Sequence, residues 1–308
     1  MHTIEIPDSK IKRYIPSDLS ECDAQQYMDM CELIFHFQNQ AITYDELRTH
    51  AVYKLMKMTP KPARELTEYE QQQQREKFSN LYMVSELIDD FFEEDENGLK
   101  TIKQYYIHNP IPSFKPLWKT YYGPSDSFMN MTFGEYTDAL RLFHDFHATG
   151  DMEILKLLTA LFYRPKKSFL FIKKRLENYN GDIRKPYNSH NIEARAKVFN
   201  YAPIGFVYGF YLLFASFQKY LIDAKIMWCG KEIDFSILYE RSKGESEPSS
   251  TETPGIGMDS IAFSIAESGA FGTIEEVRKA DFWQIMVRMY DLRRTDLERQ
   301  KQEKNATT

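Results

Sequence analysis

Val198-Phe-Asn-Tyr-Ala-Pro-Ile-Gly-Phe-Val-Tyr-Gly-Phe-Tyr-Leu-Leu-Phe-Ala-Ser-Phe-Gln218 carries no charged side chain over 21 residues, and charge resumes at Lys219. A run of about 20 apolar residues matches the hydrocarbon thickness of a bilayer. The stretch therefore reads either as a membrane span or as the innermost helix of a helical domain. Phe206, Phe210, Phe214 and Phe217 recur at helical steps with Leu213 and Leu221, while Tyr208, Tyr211, Leu212 and Ala215 cover much of the remainder. A helix apolar nearly all round is buried, in protein or in lipid. Three features favour protein. Asn200 and Pro203 confine the helix to about Ile204–Ile222, a span that includes Gln218 and Lys219. The flanks hold no one-sided basic cluster that would orient a span. No second stretch of the chain resembles one.

Working outward, the composition favours helix. Thirteen Gly and thirteen Pro in 308 residues are few for an all-β chain, which needs a turn about every 8–12 residues. The length suits one large domain, or one domain with a small appendage. A net charge of −6 argues against a protein that coats nucleic acid by bulk charge. Cys22, Cys31 and Cys229 form no CxxC and no regular spacing, so neither a disulfide framework nor a cysteine zinc site is expected. The first residues lack a basic region followed by an apolar core, so no signal peptide is expected, and a cytoplasmic location follows.

The expected fold is mainly α: a multi-helix bundle around the aromatic helix, with an irregular aromatic loop or short hairpin insertion and a small C-terminal helical module. Residues 4–16 read as an extended lead-in between Pro7 and Pro16. Ser17 or Asp18 is expected to cap a helix bearing Tyr27, Met30, Cys31, Ile34, Phe35 and Phe37. Thr43-Tyr-Asp-Glu46 is a capping box, opening a helix with Leu47, Ala51, Val52, Leu55 and Met56 on one face and Pro60 and Pro62 at its end. These two helices should form an αα-hairpin. Over 65–96, Phe78, Leu81, Tyr82, Val84, Leu87, Ile88, Phe91 and Phe92 are expected to be buried. The acidic run Glu93–Glu96 belongs beyond that helix, because carboxylates suit a helix C-terminus poorly, and Gly98 closes it. An EF-hand spacing is absent there.

From Leu99 to Met131 the prolines of Asn109-Pro-Ile-Pro112 and Phe114-Lys-Pro116 prevent regular helix. Tyr105, Tyr106, Phe114, Leu117, Trp118, Tyr121 and Tyr122 make this an aromatic loop laid across helices. Helices resume at Thr132 and at Gly150-Asp151, the latter stopping at Tyr163-Arg-Pro165. A basic segment, 166–185, leads to a helix near Asn191. Residues 226–235 are expected to be a short irregular close. The division expected is a main domain over 1–238, a flexible linker over 239–258, and a C-terminal module over 259–308. In that module Thr273-Ile-Glu-Glu276 is a second capping box, and Asp281 caps a long helix with Phe282, Trp283, Ile285, Met286, Met289 and Leu292.

No catalytic constellation is legible: there is no phosphate loop, nucleophile elbow, HExxH or dinucleotide fingerprint. His144 and His147 lie at i and i+3, but a metal would need further ligands from elsewhere. The C-terminal helix–turn–helix layout invites a DNA-binding reading. Eight Lys/Arg against nine Asp/Glu over 259–304, with signs mixed, do not make the one-signed stripe that phosphates require. No catalytic residue, cofactor or metal is therefore assigned, and neither nucleic acid nor membrane is an expected partner.

One resemblance covers about half the chain. Asn109-Pro-Ile-Pro, Tyr122-Gly-Pro-Ser-Asp, Thr132-Phe-Gly-Glu-Tyr and Leu161-Phe-Tyr-Arg-Pro165 join Glu193-Ala-Arg-Ala-Lys-Val-Phe before the aromatic helix. Together they resemble tail-assembly proteins of long-tailed bacteriophages. Ser264-Ile-Ala-Glu-Ser-Gly-Ala-Phe-Gly272 and Phe282-Trp-Gln-Ile-Met-Val-Arg-Met are similar to the C-terminal module of tail-assembly chaperones. Apart from Asn109-Pro-Ile-Pro, Leu99–Pro116 is not matched to that family, nor is the acidic run, and the chain is longer than its usual members. The resemblance implies a non-enzymatic chaperone that holds the tape-measure protein until tube subunits replace it; a structural virion or tail-completion protein is the alternative. A homo-oligomer is compatible with either. A holdase for a helical client needs aromatic and methionine anchors. Candidates are Phe114, Trp118, Tyr121 and Tyr122 of the aromatic loop, and Phe263, Phe271, Phe282, Trp283 and Met286 of the C-terminal module.

Overall fold

A computed structural model of the chain describes residues 1–5, 12–58, 68–94, 98–116, 118–173, 175, 181–239 and 258–307. Pro7, Pro60, Pro62, Leu117, residues 95–97 of the acidic run, residues 176–180 of the basic segment and residues 240–257 of the expected linker lie outside them.

The fold is mainly α, as the composition predicts. Strands β1 (His2–Glu5) and β2 (Lys12–Ile15) precede helices α1 (Ala24–Gln38), α2 (Tyr44–Leu55) and α3 (Glu68–Ser85). A 3₁₀ turn, Glu86–Phe91, leads to β3 (Phe92–Glu94) and β4 (Lys100–Ile102), then β5 (Ser113–Phe114) and β6 (Tyr121–Tyr122). Helices α4 (Phe133–Thr149) and α5 (Met152–Phe162) follow, then β7 (Arg164–Pro165), α6 (Leu170–Lys173) and α7 (Ile192–Ala196). The aromatic stretch is α8 (Ile204–Asp223), followed by β8 (Lys225–Trp228) and β9 (Lys231–Asp234). Helices α9 (Met258–Glu267), α10 (Ile274–Lys279) and α11 (Phe282–Thr307) complete the described chain. The strands pair only locally, as β1–β2, β3–β4, β5–β6–β7 and β8–β9.

Two compact units emerge, one formed by Met1–Ile111 with Phe199–Ser216, the other by Pro112–Val198 with Phe217–Thr308. Helix α8 contributes its first part to one and its last part to the other. Helices α9–α11 fall in the second unit.

In the first unit α1 and α2 form the expected αα-hairpin, with Tyr27, Met30, Cys31, Leu47, Ala51 and Val52 buried. Helix α1 starts later than expected. Asp18 caps only a 3₁₀ turn, Leu19–Glu21, because Cys22 is extended (φ −73°, ψ 140°); Asp23 then opens α1 in a capping box with Gln26. Helix α2 keeps its Thr43–Glu46 box but ends at Leu55, short of Pro60. Lys57 turns left-handed (φ 54°), its N–H donates to the Lys54 carbonyl, and the Met58 N–H reaches the Tyr53 carbonyl at 2.8 Å. That double closure is a Schellman end built without glycine, and α1 ends the same way at Gln40 (φ 57°).

The helix α8 approaches α1 closely. A Cβ on Gly205 would stand 2.0 Å from the Met28 carbonyl oxygen, and one on Gly209 would stand 2.8 Å from the Tyr27 ring. Glycines four apart clear one helix face, so that the two backbones meet. Along α3 the expected buried face is partly exposed: Phe78 and Tyr82 are each more than half accessible, whereas Ile88 and Phe91 are fully buried. The change from α to 3₁₀ at Glu86 alters the residues per turn, so the two halves cannot share one apolar face. The Arg48 guanidinium lies 5.4 Å from the Tyr82 ring centroid and covers part of it.

In the second unit Phe128 packs on Phe162 and on Phe217 of α8, and Phe217 packs on Phe282 of α11. The α10–α11 junction crosses the start of α4: the Phe133 N–H donates to the Ala280 carbonyl, and the Phe282 N–H to the Met131 carbonyl. Arg278 grips Asp138 with two contacts, 2.9 and 3.0 Å. Residues 226–235, expected to be irregular, form the β8–β9 hairpin instead. Its two turn residues, Cys229 (φ 49°) and Gly230 (φ 76°), are both left-handed, as a tight hairpin turn matching strand twist demands.

Candidate functional site

The small sheet β5–β6–β7 sits on a cluster of buried charge in the second unit. Tyr121 pairs with Phe114 on one side and Pro165 on the other, while Tyr122 pairs with Ser113 and Arg164. Beyond β7 the pairing continues without a formal strand: the Lys167 N–H donates to the Ile183 carbonyl at 2.9 Å and the Lys185 N–H to the Pro165 carbonyl at 2.8 Å. These two runs, 164–167 and 182–185, carry buried and exposed cations side by side. Arg164 and Arg184 are buried, and Lys166 and Lys185 are exposed.

The buried pair is held by carboxylates. Glu135, the third residue of α4 and the partner of Thr132 in its capping box, ion-pairs with Arg164 and lies 3.8 Å from Arg184. Asp182 accepts from Arg184 Nε at 2.9 Å and lies 3.5 Å from Arg164. Arg184 also donates to the backbone carbonyls of Asn130 and Phe162. Burial, and then the neighbouring Arg164 charge, lower the pKa of Arg195 to about 10. Arg164 Nε and Arg195 Nη1 are buried with no hydrogen-bond acceptor among the described residues. Two buried guanidinium groups thus meet two carboxylates in a low-dielectric setting where charge acts strongly, and the half-buried Arg195 lies near enough to feel the Arg164 charge.

Beside this cluster the surface forms an open cleft of about 380 Å³, lined by Trp118, Lys119, Tyr122, Lys166, Ser168 and Lys185. Trp118 is 95 % exposed. Lys119 Nζ lies 5.8 Å from the Tyr121 ring centroid. None of the three lysines forms an ion pair with a carboxylate among the described residues. Phe169 and Phe171, just beyond Ser168, are about 70 % exposed, and Phe169 holds a left-handed backbone (φ 54°) that bulky side chains seldom adopt. Cation and indole surface thus line one cleft, and exposed phenyl surface follows in the chain directly after its Ser168.

The nine expected contact residues divide. Phe114, Tyr121 and Tyr122 share the small sheet, and Trp118 and Tyr122 share the cleft, although Tyr121 itself is buried. Phe263 is half exposed on α9, and Phe271 is partly buried in the turn before α10. Phe282, Trp283 and Met286 are at most 5 % exposed. They pack into the second unit, and the Trp283 indole donates to the Ser127 carbonyl at 3.2 Å, so their apolar surface is already used within the chain. The lysines were missed. The basic character of 166–185 was visible, but only pairing across the sheet brings Lys119, Lys166 and Lys185 to one cleft.

His144 and His147 are exposed on α4, and no group of three or more metal-ligating side chains occurs among the described residues. No helix among the described residues is long and apolar enough to cross a membrane. Comparison with family models, curated proteins and solved structures returns no match to the chain.

Proposed function

We propose that the chain is a non-enzymatic, protein-binding component of phage tail assembly, acting in the host cytoplasm as a chaperone of the tape-measure protein. The sequence resemblance supplies the setting, and the almost fully exposed Trp118 beside the lysine cleft carries the reading at the level of residues. A large indole left in water forfeits its burial free energy, on the order of 2 kcal/mol, which association with a partner recovers. Indoles in this position dominate binding energy at protein interfaces. Trp118 lies in the loop that joins β5 to β6, next to the small sheet, where such a partner can reach it.

Co-expression with the tape-measure protein of the same phage, followed by affinity capture, tests the reading. Capture of the tape-measure protein by the wild-type chain, and its loss in Trp118→Ala, is the expected result. Stoichiometric presence of the chain in purified particles would favour a structural virion protein and overturn the chaperone role.

A further inference from the structure

The chemistry of the cleft defines what enters it. Lys119, Lys166 and Lys185 bring three ammonium groups without carboxylate partners among the described residues to one depression. The chain as a whole is negative, at −6. A long polyanion would meet that bulk charge along its length, whereas a short acidic segment meets only the local cations. Exposed Trp118 adds apolar surface on which an aromatic or large aliphatic side chain of such a segment can lie.

Resting on the reading of this cleft as a protein-contact surface, we infer that it takes an acidic segment of a protein partner that carries an aromatic or large aliphatic side chain. Carboxylates of the segment meet Lys119, Lys166 and Lys185, and its apolar side chain lies against the Trp118 indole. The lysines, being solvent-exposed, contribute steering and selectivity, while the indole contributes most of the binding.

The test uses the full chain and a rhodamine-labelled twelve-residue peptide of Glu, Asp and Leu with one central Phe, followed by fluorescence anisotropy. We expect saturable binding that weakens about tenfold between about 50 and about 500 mM NaCl as salt screens the exposed charges. We expect at least about a tenfold loss in Lys166→Glu/Lys185→Glu and in Trp118→Ala, and no binding by the Gln/Asn version of the peptide. Thermal melts identify any variant that has lost its fold; in that case Lys119→Glu replaces it. Three results would overturn the inference: no binding of the acidic peptide, binding unchanged in the charge-reversed variants, or displacement of the peptide by oligo-dT at lower concentration than by unlabelled peptide. Capture of the tape-measure protein distinguishes the two levels. If Lys166→Glu/Lys185→Glu captures it undiminished, the assembly role stands and the acidic-segment inference falls; if the peptide binds the cleft and the tape-measure protein is never captured, the reverse holds.

Discussion

The Tyr27 hydroxyl donates to the Gly209 carbonyl at 2.7 Å, joining α1 to α8 at the point where Gly209 lacks a side chain. That single phenolic hydrogen is thereby used, so the Tyr106 hydroxyl, 2.7 Å away, donates to Tyr27 in turn. A helix carbonyl that already serves its own ladder can accept this second bond through its other lone pair. All three groups are buried. Tyr27→Phe removes one oxygen, leaves the buried Tyr106 hydroxyl without this acceptor and the Gly209 carbonyl with its ladder bond alone, so we predict a loss of about 1–3 kcal/mol. Urea unfolding measures it as a lower midpoint at unchanged slope.

The close approach of α8 to α1 predicts an order of severity. In Gly205→Ala the new methyl meets a backbone oxygen, that of Met28, which cannot move without displacing α1. In Gly209→Ala it meets the edge of the Tyr27 ring, which can tilt. Overpacking of this kind costs about 1–3 kcal/mol, and Gly205→Ala should lie at or above the top of that range, with Gly209→Ala below it. Equal thermal shifts for the two variants would contradict the assigned packing.

Two capping boxes of the same pattern should respond very differently to loss of charge. Glu135→Gln keeps the shape of the α4 cap but leaves the two buried guanidiniums, Arg164 and Arg184, facing Asp182 alone, and breaking a buried pair in this way costs about 3–5 kcal/mol. Glu276→Gln at the exposed start of α10 removes a charge that water already screens, and its shift in unfolding midpoint should be much smaller.

Thiol reactivity reports on the β8–β9 hairpin. Burial pushes the thiol pKa values of Cys22 and Cys31 upward, whereas Cys229 is exposed in the turn. Because the thiolate is the reactive species and must be reached by reagent, only Cys229 should react with Ellman's reagent in the native chain. All three should react after unfolding. Rapid native reaction of more than one thiol would contradict the packing of α1.

How much of this was legible in the sequence depends on the range of the determining interaction. The Thr43–Glu46 and Thr273–Glu276 boxes were readable because donor and acceptor lie three residues apart. So was α8, whose start after Pro203 and apolar circumference are local properties. The end of α2 was not, because Lys57 takes the left-handed conformation that sequence reading assigns to glycine. The hairpin at 225–234 was missed because Cys-Gly lacks the usual Asn-Gly or Asp-Gly turn signal. The spacing of Gly205 and Gly209 was in plain view, yet only the approach of α1 gives it meaning. The cleft was half legible. Trp118 and Tyr122 announced themselves as aromatic, while Lys119, Lys166 and Lys185, up to 66 positions apart in the numbering, become neighbours only through the pairing of β6 with β7 and of 164–167 with 182–185. Phe282, Trp283 and Met286 misled because an aromatic or methionine stripe looks the same whether it meets a partner or the chain's own core.

Trp118 separates stability from binding. Its side chain is almost wholly in water, so Trp118→Ala should leave the unfolding midpoint within about 0.5 kcal/mol of wild type. Any loss of partner capture in that variant then belongs to the contact itself. The most direct measurement places a photo-reactive amino acid at position 118 of the full chain during co-expression with the tape-measure protein. The account predicts a covalent adduct with the tape-measure protein that Lys166→Glu/Lys185→Glu diminishes; irradiation that yields no such adduct, while the two proteins still co-purify, would contradict it.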